Sequence, residues 1–162
     1  MSDERRIPLV SQYGSVDPAP ASNKGSLESW SASLIDESLP MFQRMRSVFS
    51  LRNQGSDEAC LSLCAGFSAS SALLRHELAY VLGQMQNEVA LPALIERLSD
   101  SNEHIMVRHE AAEALGAIGN LDAKPVLEEY LHDSNPEVAE SCEVAIDLLN
   151  WCSTAEWEDE KE

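Results

Sequence analysis

Apolar residues recur at spacings of three and four along the chain from Leu39 onward, and short polar stretches separate the runs. This pattern is typical of helices that bury one face against a neighbour. The stretch Asn53-Gln54-Gly55 ends the first long helix, and Ser56 is the predicted cap of the next. The sequence therefore predicts a series of short amphipathic helices. The predicted buried stripes of the first two long helices are Phe42, Met45, Val48, Phe49 and Arg52, then Leu74, Leu78, Val81, Leu82 and Met85.

The helical pattern repeats with an offset of 33 residues. The tripeptide Arg75-His76-Glu77 recurs as Arg108-His109-Glu110, and the same offset relates Gly83 to Gly116. A fixed period of this size that contains two helical patterns is typical of stacked helical hairpins. Glycine costs a helix interior roughly 1 kcal/mol relative to alanine, so the recurrent glycine indicates that helices approach closely there.

The period predicts an all-α fold, a HEAT-like solenoid of about three and a half helical hairpins. Residues 38–152 form the predicted repeat domain. Residues 1–37 are a predicted disordered or linker segment, because their Pro-, Ser- and Ala-rich centre has no helical period. Residues 153–162 are a predicted acidic tail. In the first unit Gln43-Arg44 occupies the register of the His-Glu pair, and in the last unit Cys142-Glu143 occupies it.

Composition narrows the function classes. The chain has 162 residues, 44% of them hydrophobic, which is enough for a core. A net charge of −17 disfavours nucleic acid as a ligand. It favours a basic partner or serves solubility alone. No apolar run approaches the ~20 residues of a membrane span. The N-terminus lacks a secretory segment, and the four cysteines lack disulfide-framework spacing, which together predict a cytoplasmic location.

The two His-Glu pairs are the candidate metal ligands. Since stacked repeats align equivalent positions, His76, Glu77, His109 and Glu110 are expected on one wall of the solenoid. Mixed imidazole and carboxylate ligands suit iron or manganese better than the thiolate-rich sites of structural zinc. The opposing interpretation is a duplicated structural position with solvated pairs, and spacing alone leaves both interpretations open. The arginine before each pair is expected to bind a carboxylate across the stack.

The repeat text around these pairs resembles deoxyhypusine hydroxylase. The likeness covers about Ser15 to Leu149 and rests on SVDPAPA, MFQRMRSVFSLRNQG, RHELAYVLGQMQNEVALPALIERL, MVRHEAAEALGAIGN and ESCEVAIDLL. The resemblance implies a HEAT-like di-iron monooxygenase. The resemblance further implies that the enzyme uses Fe(II) and O2 to hydroxylate the deoxyhypusine side chain of the translation initiation factor 5A precursor. The product is hypusine.

The resemblance also implies roles for individual residues. His76, His109 and Glu110 are expected to hold one Fe(II), and Glu77 is expected to reach the iron centred on an opposing half. Family members carry two such halves, with two Fe(II) per complete active site. This chain resembles the C-terminal half plus the linker and contains four of the eight ligands.

Three hypotheses follow from the half-length resemblance. In the first, a homodimer or a missing N-terminal half completes the di-iron site. In the second, the chain is a catalytically incomplete HEAT-type scaffold or fragment that binds a basic protein partner. In the third, the chain has no stable fold of its own, because its inner end lacks a capping unit.

Overall fold

The computed structural model describes residues 5–161, and all regular structure in that range is helical. Residues 1–4 of the predicted N-terminal segment and residue 162 of the predicted tail lie outside the described residues. Within the described range, none of the helices is long and apolar enough to span a membrane. The helices are α1 (Leu27–Ile35), α2 (Met41–Gln54), α3 (Asp57–Ala65), α4 (Ala72–Met85), α5 (Leu91–Ser99), α6 (Ile105–Ile118), α7 (Lys124–Glu129), α8 (Pro136–Trp151) and α9 (Ala155–Glu160).

Three hairpins and one further helix form the solenoid. The hairpins are α2 with α3, α4 with α5 and α6 with α7, and α8 follows as the first helix of an incomplete unit. The long helices pack side by side, α2 on α4, α4 on α6 and α6 on α8. The shorter helix of each of the last two hairpins packs on the next long helix, α5 on α6 and α7 on α8. The predicted architecture of about three and a half hairpins is confirmed.

The predicted core is largely confirmed. Seven of the ten predicted stripe residues are buried apolar side chains. The three exceptions are Met85, Phe42 and Arg52. Met85 is half-buried, and Phe42 is 59% exposed, so its predicted burial is wrong. Phe42 lies in the first turn of α2, at the edge of the stripe that Met45 and Phe49 define. Arg52 is buried, but as a paired cation.

The N-terminal segment differs from the predicted disordered linker over part of its length. Helix α1 falls inside residues 1–37, and Ser26 caps it with a reciprocal hydrogen bond to Ser29. Asp17 forms a two-bond ion pair with Arg52 at 2.6 Å and 2.9 Å. Leu34 of α1 is fully buried. The segment is ordered there because it covers the first hairpin, where a solenoid end otherwise exposes apolar surface.

The recurrent glycines lie where long helices touch. A Cβ atom at Gly83 of α4 would lie 3.1 Å from the Cα atom of Ala114 in α6. A Cβ atom at Gly116 of α6 would lie 2.9 Å from the Cβ atom of Ala145 in α8. The close helix approach expected from their recurrence is therefore confirmed, and it places α4, α6 and α8 near enough for their side chains to share one site.

Candidate metal centre

The two His-Glu pairs lie at equivalent positions of neighbouring helices. His76 and Glu77 are in the second turn of α4, and His109 and Glu110 are in the second turn of α6. Because α4 packs directly on α6, the four side chains lie on one wall of the solenoid.

Side-chain caps fix where each of these helices begins. The Ser71 hydroxyl accepts a hydrogen bond from the Leu74 amide at 3.1 Å, at the start of α4. The Nδ1 atom of His104 accepts one from the Met106 amide at 3.1 Å, at the start of α6. Both contacts satisfy amides that have no intrahelical partner. His104 therefore serves as a helix cap, five residues before His109.

Glu110 links the two histidines. Its Oε1 atom lies 3.1 Å from Nε2 of His76 and 3.6 Å from Nε2 of His109. The Oε1 atom of Glu77 lies 3.9 Å from Nδ1 of His76, on the other side of that ring. One carboxylate oxygen of Glu110 therefore lies close to an imidazole nitrogen of both His76 and His109. Glu77 lies beside the other nitrogen of His76.

Two further polar residues contact His109, and sequence reasoning missed both. The Oγ atom of Ser141 lies 2.6 Å from Nδ1 of His109, and the Oε1 atom of Glu113 lies 3.7 Å from the same nitrogen. Glu113 is four residues after His109, so helical spacing could have identified it. Ser141 is 32 residues away on α8 and carries no local signal.

The tightest group of ligand atoms differs from the predicted set. His109, Glu110 and Glu113 offer atoms that all lie within 4.8 Å of one another. Among the residues that the structure describes, no other group of three or more His, Cys, Asp or Glu side chains brings its ligand atoms this close together, so His76 and Glu77 lie outside it. Glu113 is half exposed, whereas Glu110 is largely buried. Glu110 contacts an imidazole of each of the two repeats.

Two carboxylates are buried close together at this site. The Glu77 and Glu110 side chains are 15% and 13% exposed. Burial raises the pKa of Glu77, the nearby His76 opposes that shift, and Glu110 adds to it. Burial also raises the pKa of Glu110, and the Glu113 carboxylate adds to this shift. A bound cation would offset the cost of keeping both carboxylates ionised away from water.

The residues present fit a metal ion. The Nδ1 atom of His76 is buried and has no hydrogen-bond partner. Buried polar atoms are rarely left unpaired, and this Nδ1 atom lies 3.9 Å from Oε1 of Glu77. A ring that binds a cation through Nε2 would carry its proton on Nδ1, facing that carboxylate. Two imidazoles and a carboxylate on one face match the ligands of non-haem Fe(II) sites.

The arginines that precede the two histidines point away from this wall. Arg75 binds Glu103 through Nε and Nη2, at 3.0 Å and 2.8 Å. Arg108 binds Asp133 at 2.7 Å and the Leu98 carbonyl at 2.9 Å. The expectation that each arginine binds a carboxylate is confirmed. These buried ion pairs tie α4 and α6 to the loops that follow α5 and α7, and they hold the helices that carry the site.

A cavity of about 520 Å³ opens beside His109, between α6 and α8. Its wall carries both carboxylates and apolar side chains. The carboxylates are those of Glu113, Glu137 and Glu140, and the apolar side chains are those of Ile105, Met106 and Val144. The cavity can therefore accept an elongated group that combines a cation with methylenes.

Comparison with known proteins gives consistent results. The family description "HEAT repeats" matches residues 44–147. Deoxyhypusine hydroxylase of Danio rerio is 47% identical over 146 residues, which cover 90% of this chain and 48% of the relative. The enzyme of that name from Arabidopsis thaliana is 53% identical over 142 residues, 87% of this chain and 45% of the relative.

A solved structure supports the same relationship. The structure of human deoxyhypusine hydroxylase in complex with glycerol aligns with a TM-score of 0.86 and 46% identity, over 90% of this chain and 50% of the human chain. The chain spans about half the length of the curated relatives it matches. The chain therefore belongs to the HEAT-repeat family, and within it is similar in sequence and fold to deoxyhypusine hydroxylases.

Proposed function

We propose that this chain provides one half of the metal site of a deoxyhypusine hydroxylase. The reaction is hydroxylation of the deoxyhypusine side chain of the translation initiation factor 5A precursor. The observation that carries the proposal is the position of Glu110 Oε1, within 3.6 Å of an imidazole nitrogen from each of two repeats. The similarity to enzymes of that name over about 90% of the chain supports it. When bound, Fe(II) would supply the activation of O2.

His76, His109 and Glu110 would hold the iron of this half. Two imidazoles and one carboxylate on one side of Fe(II) leave positions open for other ligands. In a neutral His76 ring, the 3.1 Å contact with Glu110 places the proton on Nε2. That proton must leave before this nitrogen binds a cation. Glu77 would extend toward a second iron, held by an opposing half.

The cavity beside His109 would accept the deoxyhypusine side chain. This modified lysine is long and cationic, so its amines suit the carboxylates of Glu113, Glu137 and Glu140. Its methylenes suit the apolar side chains that line the cavity. The net charge of −17 would also speed the encounter with a basic segment of the precursor.

A complete site requires a second set of ligands. Either a second copy of this chain, related by a two-fold axis, or the remaining part of a longer chain would supply it. Both arrangements give two Fe(II) per active site and one per half. The predicted cytoplasmic location fits this function and stays a prediction.

Anaerobic reconstitution with Fe(II) tests the proposal. We expect about one iron per chain, and hydroxylation of deoxyhypusine-containing precursor only when a second half is present. Iron content, oligomeric mass by sedimentation and product by mass spectrometry are measured on the same sample. A chain that binds the precursor but takes up no iron is a scaffold, and that result contradicts the proposal.

A further inference from the structure

The hydroxyl of Ser141 makes two hydrogen bonds, and its geometry assigns their direction. Ser141 is 6% exposed on α8, and its Oγ atom lies 2.7 Å from the carbonyl oxygen of Glu137. A carbonyl can only accept, so the single hydroxyl hydrogen is donated to Glu137. The Oγ atom also lies 2.6 Å from Nδ1 of His109. Since the hydroxyl hydrogen is already used, Nδ1 must be the donor in this second bond.

The direction of that bond fixes the proton of His109. A neutral imidazole has one N–H, so a proton on Nδ1 leaves the lone pair on Nε2 free. Nε2 is the atom that lies 3.6 Å from Oε1 of Glu110. The lone pair of this nitrogen therefore faces a carboxylate oxygen, and a cation between the two atoms would satisfy both acceptors. His76 is the opposite case, because its Nε2 is the nitrogen in contact with Glu110 at 3.1 Å.

We propose that Ser141 is a positioning residue that holds His109 as the Nδ1–H tautomer and directs its Nε2 atom toward Glu110. The part of this role that concerns iron rests on the proposed function. Histidine ligands usually donate their second N–H to an outer partner, which fixes the ring and raises its basicity. Here a serine from the next repeat is that partner. Metal binding at the α4–α6 wall therefore depends on α8, which carries no His-Glu pair.

Glu113 is the competing partner for the same proton. Its Oε1 atom lies 3.7 Å from Nδ1 of His109, beyond hydrogen-bond distance, and its side chain is half exposed. Ser141 is closer by about 1 Å and is buried. The hydroxyl is therefore the group that sets the tautomer, and the carboxylate is not.

The experiment uses the whole chain without metal. The ¹⁵N shifts of labelled histidine are recorded at alkaline pH, where imidazole is neutral, and report which nitrogen carries the proton. The wild type is compared with Ser141→Thr, which keeps a hydroxyl, and with Ser141→Val, which has the shape of the threonine side chain but no hydroxyl. Ser47→Ala is the matched control, because Ser47 is a buried helical serine that donates to the carbonyl of Gln43 and contacts no histidine.

We expect His109 to be the Nδ1–H tautomer in the wild type, Ser141→Thr and Ser47→Ala, and to shift toward Nε2–H in Ser141→Val. We expect Fe(II) affinity in anaerobic titration to fall by about 10–100-fold in Ser141→Val and to recover in Ser141→Thr. An unchanged His109 tautomer in Ser141→Val overturns the inference. A change of the His109 tautomer in Glu113→Gln, without one in Ser141→Val, overturns it as well. A wild type that binds no Fe(II) contradicts the proposed function, while the tautomer measurement still decides the role of Ser141.

Discussion

The Nε2 atom of His76 and the Oε1 atom of Glu110 lie 3.1 Å apart, although they are 34 residues apart in the chain. The contact crosses from α4 to α6, so its two partners belong to different repeats. The site therefore forms only when the repeats stack. Because a metal ligand set that spans two repeats is lost on unfolding, iron binding and the stability of the stack are linked.

Replacing His76 with Ala is expected to remove most Fe(II) binding. The substitution deletes one of the imidazoles that contact Glu110 and leaves two of the three proposed ligands. Since the loss of an outer partner alone costs about 10–100-fold, we expect the loss of a ligand to cost more than ~100-fold in affinity. Anaerobic titration, with iron determined after desalting, measures it.

His132→Ala is the control for this substitution, because His132 is exposed and lies outside the site. The control is expected to bind Fe(II) as the wild type does. Equal iron uptake in His76→Ala and the wild type would exclude His76 as a ligand and leave the group of His109, Glu110 and Glu113 as the candidate site.

Replacing Glu103 with Ala is expected to destabilise the fold by about 3–5 kcal/mol. The Glu103 side chain is 2% exposed and binds both Arg75 and Arg97, at 2.8 Å and 2.9 Å. Removing it leaves two guanidinium groups without their shared carboxylate. Urea unfolding followed by circular dichroism measures the change.

The matched control is Glu96→Ala. Glu96 also binds Arg97, but its side chain is 74% exposed. An exposed ion pair contributes about 0–1 kcal/mol, so this variant is expected to unfold close to the wild-type midpoint. Similar losses of unfolding free energy in both variants would mean that the burial of Glu103 does not make its ion pairs more stabilising than an exposed pair.

The stability of the chain is expected to fall in acid, in part through Asp133. A hydrogen bond from Arg108 holds the pKa of Asp133 below its ordinary value of 3.8. A carboxyl whose pKa is lower in the folded state stabilises the fold above the ordinary pKa. That contribution is lost as the pH falls through the lowered value. Glu103 behaves alike: burial raises its pKa, but hydrogen bonds from Arg75, the His104 amide and Arg97, with the charge of Arg75, together lower the pKa below its ordinary value.

Measuring the free energy of unfolding between about pH 6 and pH 2 tests this prediction. Asp133→Asn is expected to be less stable than the wild type at neutral pH and to lose less stability on acidification. Parallel curves for the two proteins would show that Asp133 does not titrate with folding.

The sequence predicts most of the repeat, because periodicity is a local property of the chain. The offset of 33 residues places four candidate ligands on one wall, and Ser56 correctly marks the start of α3. The role of Ser141 is not predictable in this way. It depends on a contact with His109 between helices, and Ser141 itself stands in a run with no histidine.

The position of Asp17 could not be predicted for a similar reason. A Pro- and Ser-rich stretch has no period, so nothing in it indicates that one carboxylate is buried. The partner of Asp17 is Arg52, which is 35 residues away. Periodicity places Arg52 on a buried face of α2 but does not indicate which carboxylate neutralises it. Long-range polar pairs of this kind require the folded structure.

Asp17→Ala is expected to destabilise the chain by about 3–5 kcal/mol, because it strands a buried cation. The Arg52 side chain is fully buried, and that of Asp17 is 6% exposed. Thermal unfolding measures the loss. Asp57→Ala is the control, since Asp57 is exposed at the start of α3 and accepts one hydrogen bond from Asn87. If Asp17→Ala unfolds like the wild type, the segment around Asp17 does not contribute to the fold in solution.

Gly116→Ala is expected to destabilise the chain and to weaken the site at a distance. The added Cβ atom would lie 2.9 Å from the Cβ atom and 3.0 Å from the Cα atom of Ala145, so α6 and α8 must separate. Overpacking costs about 1–3 kcal/mol. The better helix propensity of alanine offsets about 1 kcal/mol of this. Ala145 lies one turn after Ser141, so the separation also lengthens the contact between Ser141 and His109.

The double variant Gly116→Ala with Ala145→Gly removes the 2.9 Å contact between the two Cβ atoms and keeps the 3.0 Å approach to the Cα atom of position 145. If the helix contact is the cause, the two substitutions together cost less than the sum of their separate effects, by about 1 kcal/mol or more. The free energy of unfolding in urea measures this coupling. Fe(II) affinity is expected to recover in part, because α6 and α8 separate less and Ser141 stays closer to His109. Strict additivity of the two substitutions would show that the contact between the Cβ atoms of positions 116 and 145 is not the cause of the loss.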